Sequence, residues 1–297
     1  MIASNERMGS LTGVPPKSSK RQKAARVTPC APSLPQENTG FCDVDSGCDP
    51  YGVTRPATGE DALASAVTRE TGDWLLWQLA DSAFPTGGFA HSAGLEAAWQ
   101  HGAVRKRDEL AAFLDASLGQ LGHSTLPFVT AAHGEPERLE EFDRLCDAFT
   151  TNHVANRASR TQGRALLAAV ERIFPGRRFL TEREGNSGTE RVGSETGAPN
   201  HFAPVFGSCL RRLAVPRETA QRMFFFQHLR SLLAAAVRLN IVGPMEAQTL
   251  QHRLGPRAGE ILARCQSLTL ADLAQTAPLL DLWQAAHDRL YSRLFQS

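Results

Sequence analysis

Residues Leu75 to Gly102 read LLWQLADSAFPTGGFAHSAGLEAAWQHG, and the order of helix formers and helix breakers here decides how the rest of the chain is read. Two short apolar segments flank a turn that no helix crosses, because Pro85 has no amide hydrogen to donate and Gly87-Gly88 loses the most backbone entropy on ordering. On the first segment Trp74, Leu75, Trp77 and Leu79 recur at helical spacing, and Asp73 is expected to accept the first free amide hydrogens as an N-cap. On the second, Leu95, Ala98 and Trp99 form the expected buried stripe and Gly102 the stop. With Phe84 and Phe89 on either side of two glycines, the turn is too apolar for a solvated linker. It predicts backbone packed closely against something else.

The helical period continues to the end of the sequence. Asp108 is expected to cap a helix whose Leu110, Phe113, Leu114, Ser117, Leu118 and Leu121 share one face. Pro127 opens the next helix and Gly134 closes it. Leu139, Phe142, Leu145, Cys146 and Phe149 make another stripe, and a longer helix runs from Asn152 to Phe174, ended by Pro175. The polar, glycine-rich segment 177–200 reads as a mobile loop. Phe202 to Leu213 follow the helical template, Pro216 opens a long helix to about Val242, and beyond Gly243-Pro244 a further helix carries Ala247, Leu250 and Leu254. Thr269 and Asp272 resemble a capping box, and a last helix from Pro278 is expected to carry Leu280, Trp283, His287, Leu290, Tyr291 and Leu294 on one side. With no sustained strand-like alternation, the fold class is all-α: a single helical bundle of roughly ten helices over residues 73–297.

Residues 1–72 are a different kind of sequence. Prolines, serines and a basic cluster at Lys17, Lys20, Arg21, Lys23 and Arg26 leave too few apolar side chains to offset ordering entropy, so a disordered extension is expected. The 297 residues carry a formal charge of +1, which gives no global field toward nucleic acid or an anionic membrane. The apolar run Leu232–Val237 is far shorter than the ~20 residues a membrane span needs. Six cysteines (Cys30, Cys42, Cys48, Cys146, Cys209, Cys265) form no CxxC pair, which points to reduced thiols in the cytoplasm. Cys42 and Cys48 with Asp43, Asp45 and Asp49 lack the second pair that a closed metal site needs.

Motifs for catalysis are absent: no HExxH, GxSxG, GxxxxGK[ST] or GxGxxG occurs. His91 beside Ser92 suggests a base and nucleophile, but sequence neighbours at a helix start point in different directions, so capping or packing is the better reading. His91 with Glu96 or His101 lacks the i, i+4 histidine pair of a permanent metal centre, and no cofactor is expected. Two surface features stand out instead. Arg157, Arg160 and Arg164 lie three and four apart and form a basic stripe, which is either a solvated face or a contact for an acidic partner or nucleotide phosphates. The closing YSRLFQS stays apolar at Tyr291, Leu294 and Phe295, so these side chains need either the bundle's own core or another protein's surface.

The stretch QLADSAFPTGGFAHSAGLE resembles the signature of the urease accessory protein F (UreF) family. NHVANRASRTQGRALL from Asn152, HFAPVFG from His201, AAAVRLNIVGPMEAQTLQHRL from Ala234 and the final HDRLYSRLFQS are similar to further family segments in the same order. The extension and the insertion before His201 resemble those of eukaryotic or plant-like members; Asn156 stands where a charged residue is expected. The resemblance implies a non-enzymatic, all-helical adaptor that forms a homodimer, binds accessory protein D (H in some bacteria), recruits the GTPase accessory protein G and takes part in nickel delivery to apo-urease. By position, Arg293, Leu294 and Phe295 belong to the tail implied to dock with accessory protein D, and this tail is expected to need its partner for full order. Gly87, Gly88, His91, Ser92 and Glu96 fall in the signature turn, for which a contact with the GTPase or the nickel path is expected. A competing reading keeps the partners and adds GTPase activation, with Arg157 or Arg160 as an inserted finger.

Overall fold

The first helix, α1 (72–80), ends where Asp81 accepts from the Ala83 amide, and the chain then turns through Phe84 and Gly87 before a 3-10 turn at Gly88–Ala90. The computed structural model describes residues 72–175, 177, 179 and 201–297, which lie within one unit spanning Ala57–Ser297. The expected disordered extension and the Cys42–Asp49 segment lie outside the described residues, apart from Gly72 in α1; so does the loop 177–200, apart from residues 177 and 179.

The remaining helices are α2 (Leu95–Gln100), α3 (Arg107–Ser124), α4 (Leu126–Gly134), α5 (Leu139–Phe149), α6 (His153–Ile173), α7 (Phe202–Arg212), α8 (Arg217–Arg238), α9 (Pro244–Cys265) and α10 (Pro278–Ala286). Among the described residues there is no strand, and the fold is an all-α bundle. All six residues of the predicted α3 face are buried. Against that face pack α8 and α9, while α4 and α7 form the tightest crossing and α6 lies against α7. Gly207 makes the α4–α7 approach, since a Cβ there would stand 2.2 Å from the Val129 carbonyl oxygen. The rings of Phe202, Phe206 and Phe224 meet at centroid distances of 5.4–6.1 Å and fasten α7 to α8. Burying each such ring contributes roughly 1.5–3 kcal/mol.

Several local expectations need correction. Asp73 lies inside α1 and Asp108 inside α3, so neither is an N-cap. At α3 the work falls to Glu109, whose carboxylate accepts from the Arg105 and Lys106 amides at 2.7 and 3.0 Å. Trp74 and Trp77 are exposed, paired edge to face at 5.1 Å, while Leu79 enters the core; Leu145 is also exposed. The long helix α8 stops at Arg238: Asn240 takes a left-handed φ of 57° and the Ile241 amide returns to Ala236 O, a C-terminal motif that also closes α2 at Gly102 and α7 at Ala214. α9 runs past Gly255-Pro256 to Cys265, because Ile261, Leu262 and Cys265 extend the buried stripe and outweigh the roughly 3 kcal/mol that an interior proline costs. The Thr269–Asp272 box closes as expected, around a 3-10 turn.

The largest correction concerns the last helix. α10 ends at Ala286, a 3-10 turn covers His287–Arg289, and Leu290 is extended. Leu280, Trp283 and His287 face the bundle, but beyond them Phe295 is buried, Leu294 is exposed and Tyr291 is completely exposed, so the expected one-sided helical stripe holds only as far as His287. The apolar side chains are divided between the bundle and the outside.

Candidate functional site

The signature turn and the end of the sequence form one unit. Ala93 and Gly94 both have left-handed φ, 48° and 86°, which swings α2 inward so that Leu95, Glu96, Ala97 and Ala98 are all fully enclosed. A Cβ on Gly94 would stand 2.9 Å from the Gln284 amide nitrogen of α10, so glycine here permits close approach of the two elements. That approach delivers His287, whose Nε2 lies 2.9 Å from Glu96 Oε2. The Glu96 carboxylate also accepts from the Leu294 amide at 2.6 Å and the Phe295 amide at 3.2 Å. Beyond it the Gln296 amide donates to Ala90 O at 2.8 Å, and the Ser92 amide and hydroxyl donate to Ser297 O at 2.5 and 3.2 Å. The Arg238 guanidinium covers the Phe295 ring at 4.2 Å.

A second node joins the tail to the basic stripe. Asp288 accepts from Arg157 at 2.8 and 3.2 Å, from Arg293 at 3.4 Å, and stands 3.2 Å from His153 Nε2. The Arg157 guanidinium holds the Asp288 carboxyl below the usual carboxylate range. Arg160 meets Asp147 at 3.4 Å. With Arg164, Thr150, Thr151, His153 and Asn156, these arginines line an open cleft of about 420 Å³ along the first half of α6. Thus all three features singled out in the sequence adjoin one another.

The polar side chains of the turn are engaged in holding the tail. His91 Nδ1 and the Ser297 hydroxyl lie 2.5 Å apart while Ser92 is bonded to Ser297 O, so both side chains hold the tail, and Ser92 is fully buried. Burial, then the charges of His287 and Arg157, push His91 down to about 4, which leaves its imidazole neutral near pH 7. Among the described residues no group of three His, Cys, Asp or Glu side chains is placed to hold a metal ion, and no helix is long and apolar enough to cross a membrane. Behind the turn lies a cavity of about 330 Å³ lined in part by Gly88, His91, Gln162 and Ser231. Its wall includes His228, half-buried with Nε2 2.7 Å from the Ser117 hydroxyl and pushed by burial to about 4.

Sequence reasoning missed one arrangement: Ser159, His201 and Asp147 stand in line, at 3.2 Å (Ser159 Oγ to His201 Nδ1) and 3.1 Å (His201 Nε2 to Asp147). The Ser159 hydroxyl also accepts the Phe202 amide at 3.1 Å and Asp143 accepts the His201 amide at 2.7 Å, so the set caps α7 and fastens it to α5 and α6. The one signal was that Ser159 and His201 fall within NHVANRASR and HFAPVFG; Asp143 and Asp147 lie outside both segments.

Comparison with known proteins fits this architecture. A model of the UreF family matches residues 104–255. The urease accessory protein F of Arabidopsis thaliana is 39% identical over 229 residues, covering 75% of this chain and 92% of that protein. The chain belongs to the urease accessory protein F family. The Oryza sativa subsp. indica UreF protein is 36% identical over 239 residues (80% of this chain, 89% of the relative), and a Schizosaccharomyces pombe UreF-like protein 33% over 234 residues (74% and 94%). The UreF match begins at Val104 and ends within α9, so the turn and the tail lie outside the stretch it covers.

Proposed function

We propose that this chain is a non-catalytic adaptor in urease maturation, a homodimer that bridges accessory protein D (H) and the GTPase accessory protein G in the cytoplasmic complex that delivers nickel to apo-urease. Family membership supports the urease role. The observation that carries the adaptor reading is a surface: Tyr291, Leu294, Leu279 and Leu282 stand exposed on the tail and α10. Beside them lies the cleft of Arg157, Arg160 and Arg164. Apolar anchors next to a charged rim suit a protein partner. On this reading the tail with Arg293, Leu294 and Phe295 meets accessory protein D, while the arginine cleft and the outer part of the turn, Gly87, Gly88 and His91, face the GTPase or the nickel path. Ser92 and Glu96 act from behind. Free thiols at Cys146, Cys209 and Cys265 suit a reducing compartment.

The test is co-purification of the full chain with accessory proteins D and G. A Tyr291→Ser, Leu294→Ser double variant should lose accessory protein D; undiminished capture would refute the tail assignment. The second reading, activation of GTP hydrolysis, is weakened at Arg157, whose two-pronged bond to Asp288 must break before it could reach a phosphate. Arg160, held at 3.4 Å, is the freer finger. Acceleration of GTP turnover by this chain that disappears in Arg160→Ala would favour that reading; no acceleration, or restraint, favours the adaptor.

A further inference from the structure

We propose that Glu96 is the positioning residue for the tail: one interior carboxylate fixes the course of Leu290–Ser297 and so decides which of its side chains face outward. Glu96 has no exposed surface and sits on α2, where Leu95, Ala97 and Ala98 are equally enclosed, so its backbone cannot drift. A carboxylate offers about four acceptor sites, and three are taken here, by His287 and by two consecutive tail amides. Consecutive amides in an extended segment point to opposite sides, so both reach one carboxylate only if the chain bends there. That bend sends the Phe295 ring inward under Arg238 and leaves Leu294 outside. Of the other ties, Gln100 and Arg238 reach tail carbonyls from exposed positions and Arg293 meets Asp288 at the surface, while the bonds of Gln296 to Ala90 O and of Ser92 and His91 to Ser297 anchor only the last two residues, beyond the bend. His287 Nδ1 is buried without a partner, so Glu96 is what holds this imidazole inside.

The presentation of Tyr291 and Leu294 therefore depends on a residue no partner can touch. In the isolated chain this claim is independent of the function proposed above; only its consequence for partner capture rests on that reading.

The experiment is hydrogen exchange on the full-length chain carrying Glu96→Gln, with peptides covering 290–297 compared against those of α3 and α8. Gln places an NH2 group against amide donors that need an acceptor. The expected result is exchange at the Leu294 and Phe295 amides at least tenfold faster, with α3 and α8 unchanged. Leu294→Pro, which deletes one donor at an exposed position and also fixes the backbone φ there, serves as the second variant, read at the Phe295 amide, and decides the matter if Glu96→Gln does not fold. Tail exchange within twofold of the parent in the folded variants would overturn the proposal. Capture of accessory protein D, measured on the same samples, separates the two claims: a freed tail with undiminished capture sinks the tail-docking reading and leaves the role of Glu96 standing.

Discussion

Three glycines in the signature turn form a graded series that tests whether the close approach of α10 is what the turn is built for. Gly87 has φ 72° and open space around the position of a Cβ; Gly88 lacks a positive φ and would meet only side-chain oxygens, at 3.5–3.6 Å; Gly94 has φ 86° and would press a Cβ to 2.9 Å from the backbone of α10. An alanine in left-handed conformation costs roughly 1 kcal/mol, and forcing a methyl group against packed backbone adds roughly 1–3 kcal/mol. Gly88→Ala should therefore be near neutral or slightly stabilising through the unfolded chain, Gly87→Ala should cost about 1 kcal/mol, and Gly94→Ala about 2–4 kcal/mol. For a domain of this size these correspond to melting-temperature changes of about 0, −3 and −10 °C. Thermal melts read by circular dichroism give the order, and hydrogen exchange locates the damage, which for Gly94→Ala should concentrate in Pro278–Ser297. If Gly94→Ala and Gly87→Ala melt within a degree of each other, the contact with Gln284 contributes nothing and the account of how His287 reaches Glu96 is wrong.

Other outcomes follow from the same geometry. Gly207→Ala should be the most damaging small substitution, costing upward of about 3 kcal/mol because the new methyl meets carbonyl and amide of α4 that cannot yield; soluble yield and melting temperature check it. Ala214→Gly should raise stability by up to about 1 kcal/mol by relieving the left-handed φ of 62°, read from urea unfolding. His228 and His91, held down to about 4 against an ordinary 6.5, bind fewer protons in the folded than in the unfolded chain between those values. Stability is thus whole above about pH 6.5 and falls as pH drops toward 4, by up to about 3 kcal/mol for His228; the gap between urea midpoints at pH 7 and 5 should narrow in His228→Asn, with the His91 contribution remaining. The thiols of Cys146 and Cys209, pushed up to about 12 by burial, should resist maleimide at pH 8 until the chain is unfolded, as peptide mass spectrometry would show.

The helices were legible wherever an apolar stripe and a strong breaker agreed. Asn152 and Pro175 bracket α6 within a residue or two, and the α3 face is buried to the last member. Caps were read less well, since an aspartate in the first turn favours the helix dipole as much as it suits the cap, and only the fold decides which position the chain gives it. At Gly255-Pro256 no local rule predicts that α9 continues, because the cost of an interior proline is set there against burial further along the same face. Trp74 and Trp77 sit at helical spacing as read, yet are exposed: the period selects a face, but nothing in it says whether that face meets the bundle.

The site was legible as three separate features and illegible as one. Turn, stripe and tail each carried an anomaly that composition exposes: glycines among aromatics, arginines in register, apolar side chains at the end of the sequence. What unites them are bonds between residues 131 to 199 positions apart, Arg157 with Asp288 and Glu96 with His287, Leu294 and Phe295. No local pattern encodes such a pairing, and a glutamate at the start of a short helix reads as a solvated first-turn acid. Its burial becomes intelligible only after Ala93 and Gly94 turn α2 inward, which places a carboxylate where the returning chain has two amides to satisfy. On the proposed adaptor reading, the surface offered to partners is set by a polar contact hidden beneath it, so substitutions at Glu96, Gly94 or His287 should change what the surface presents without altering any residue on it.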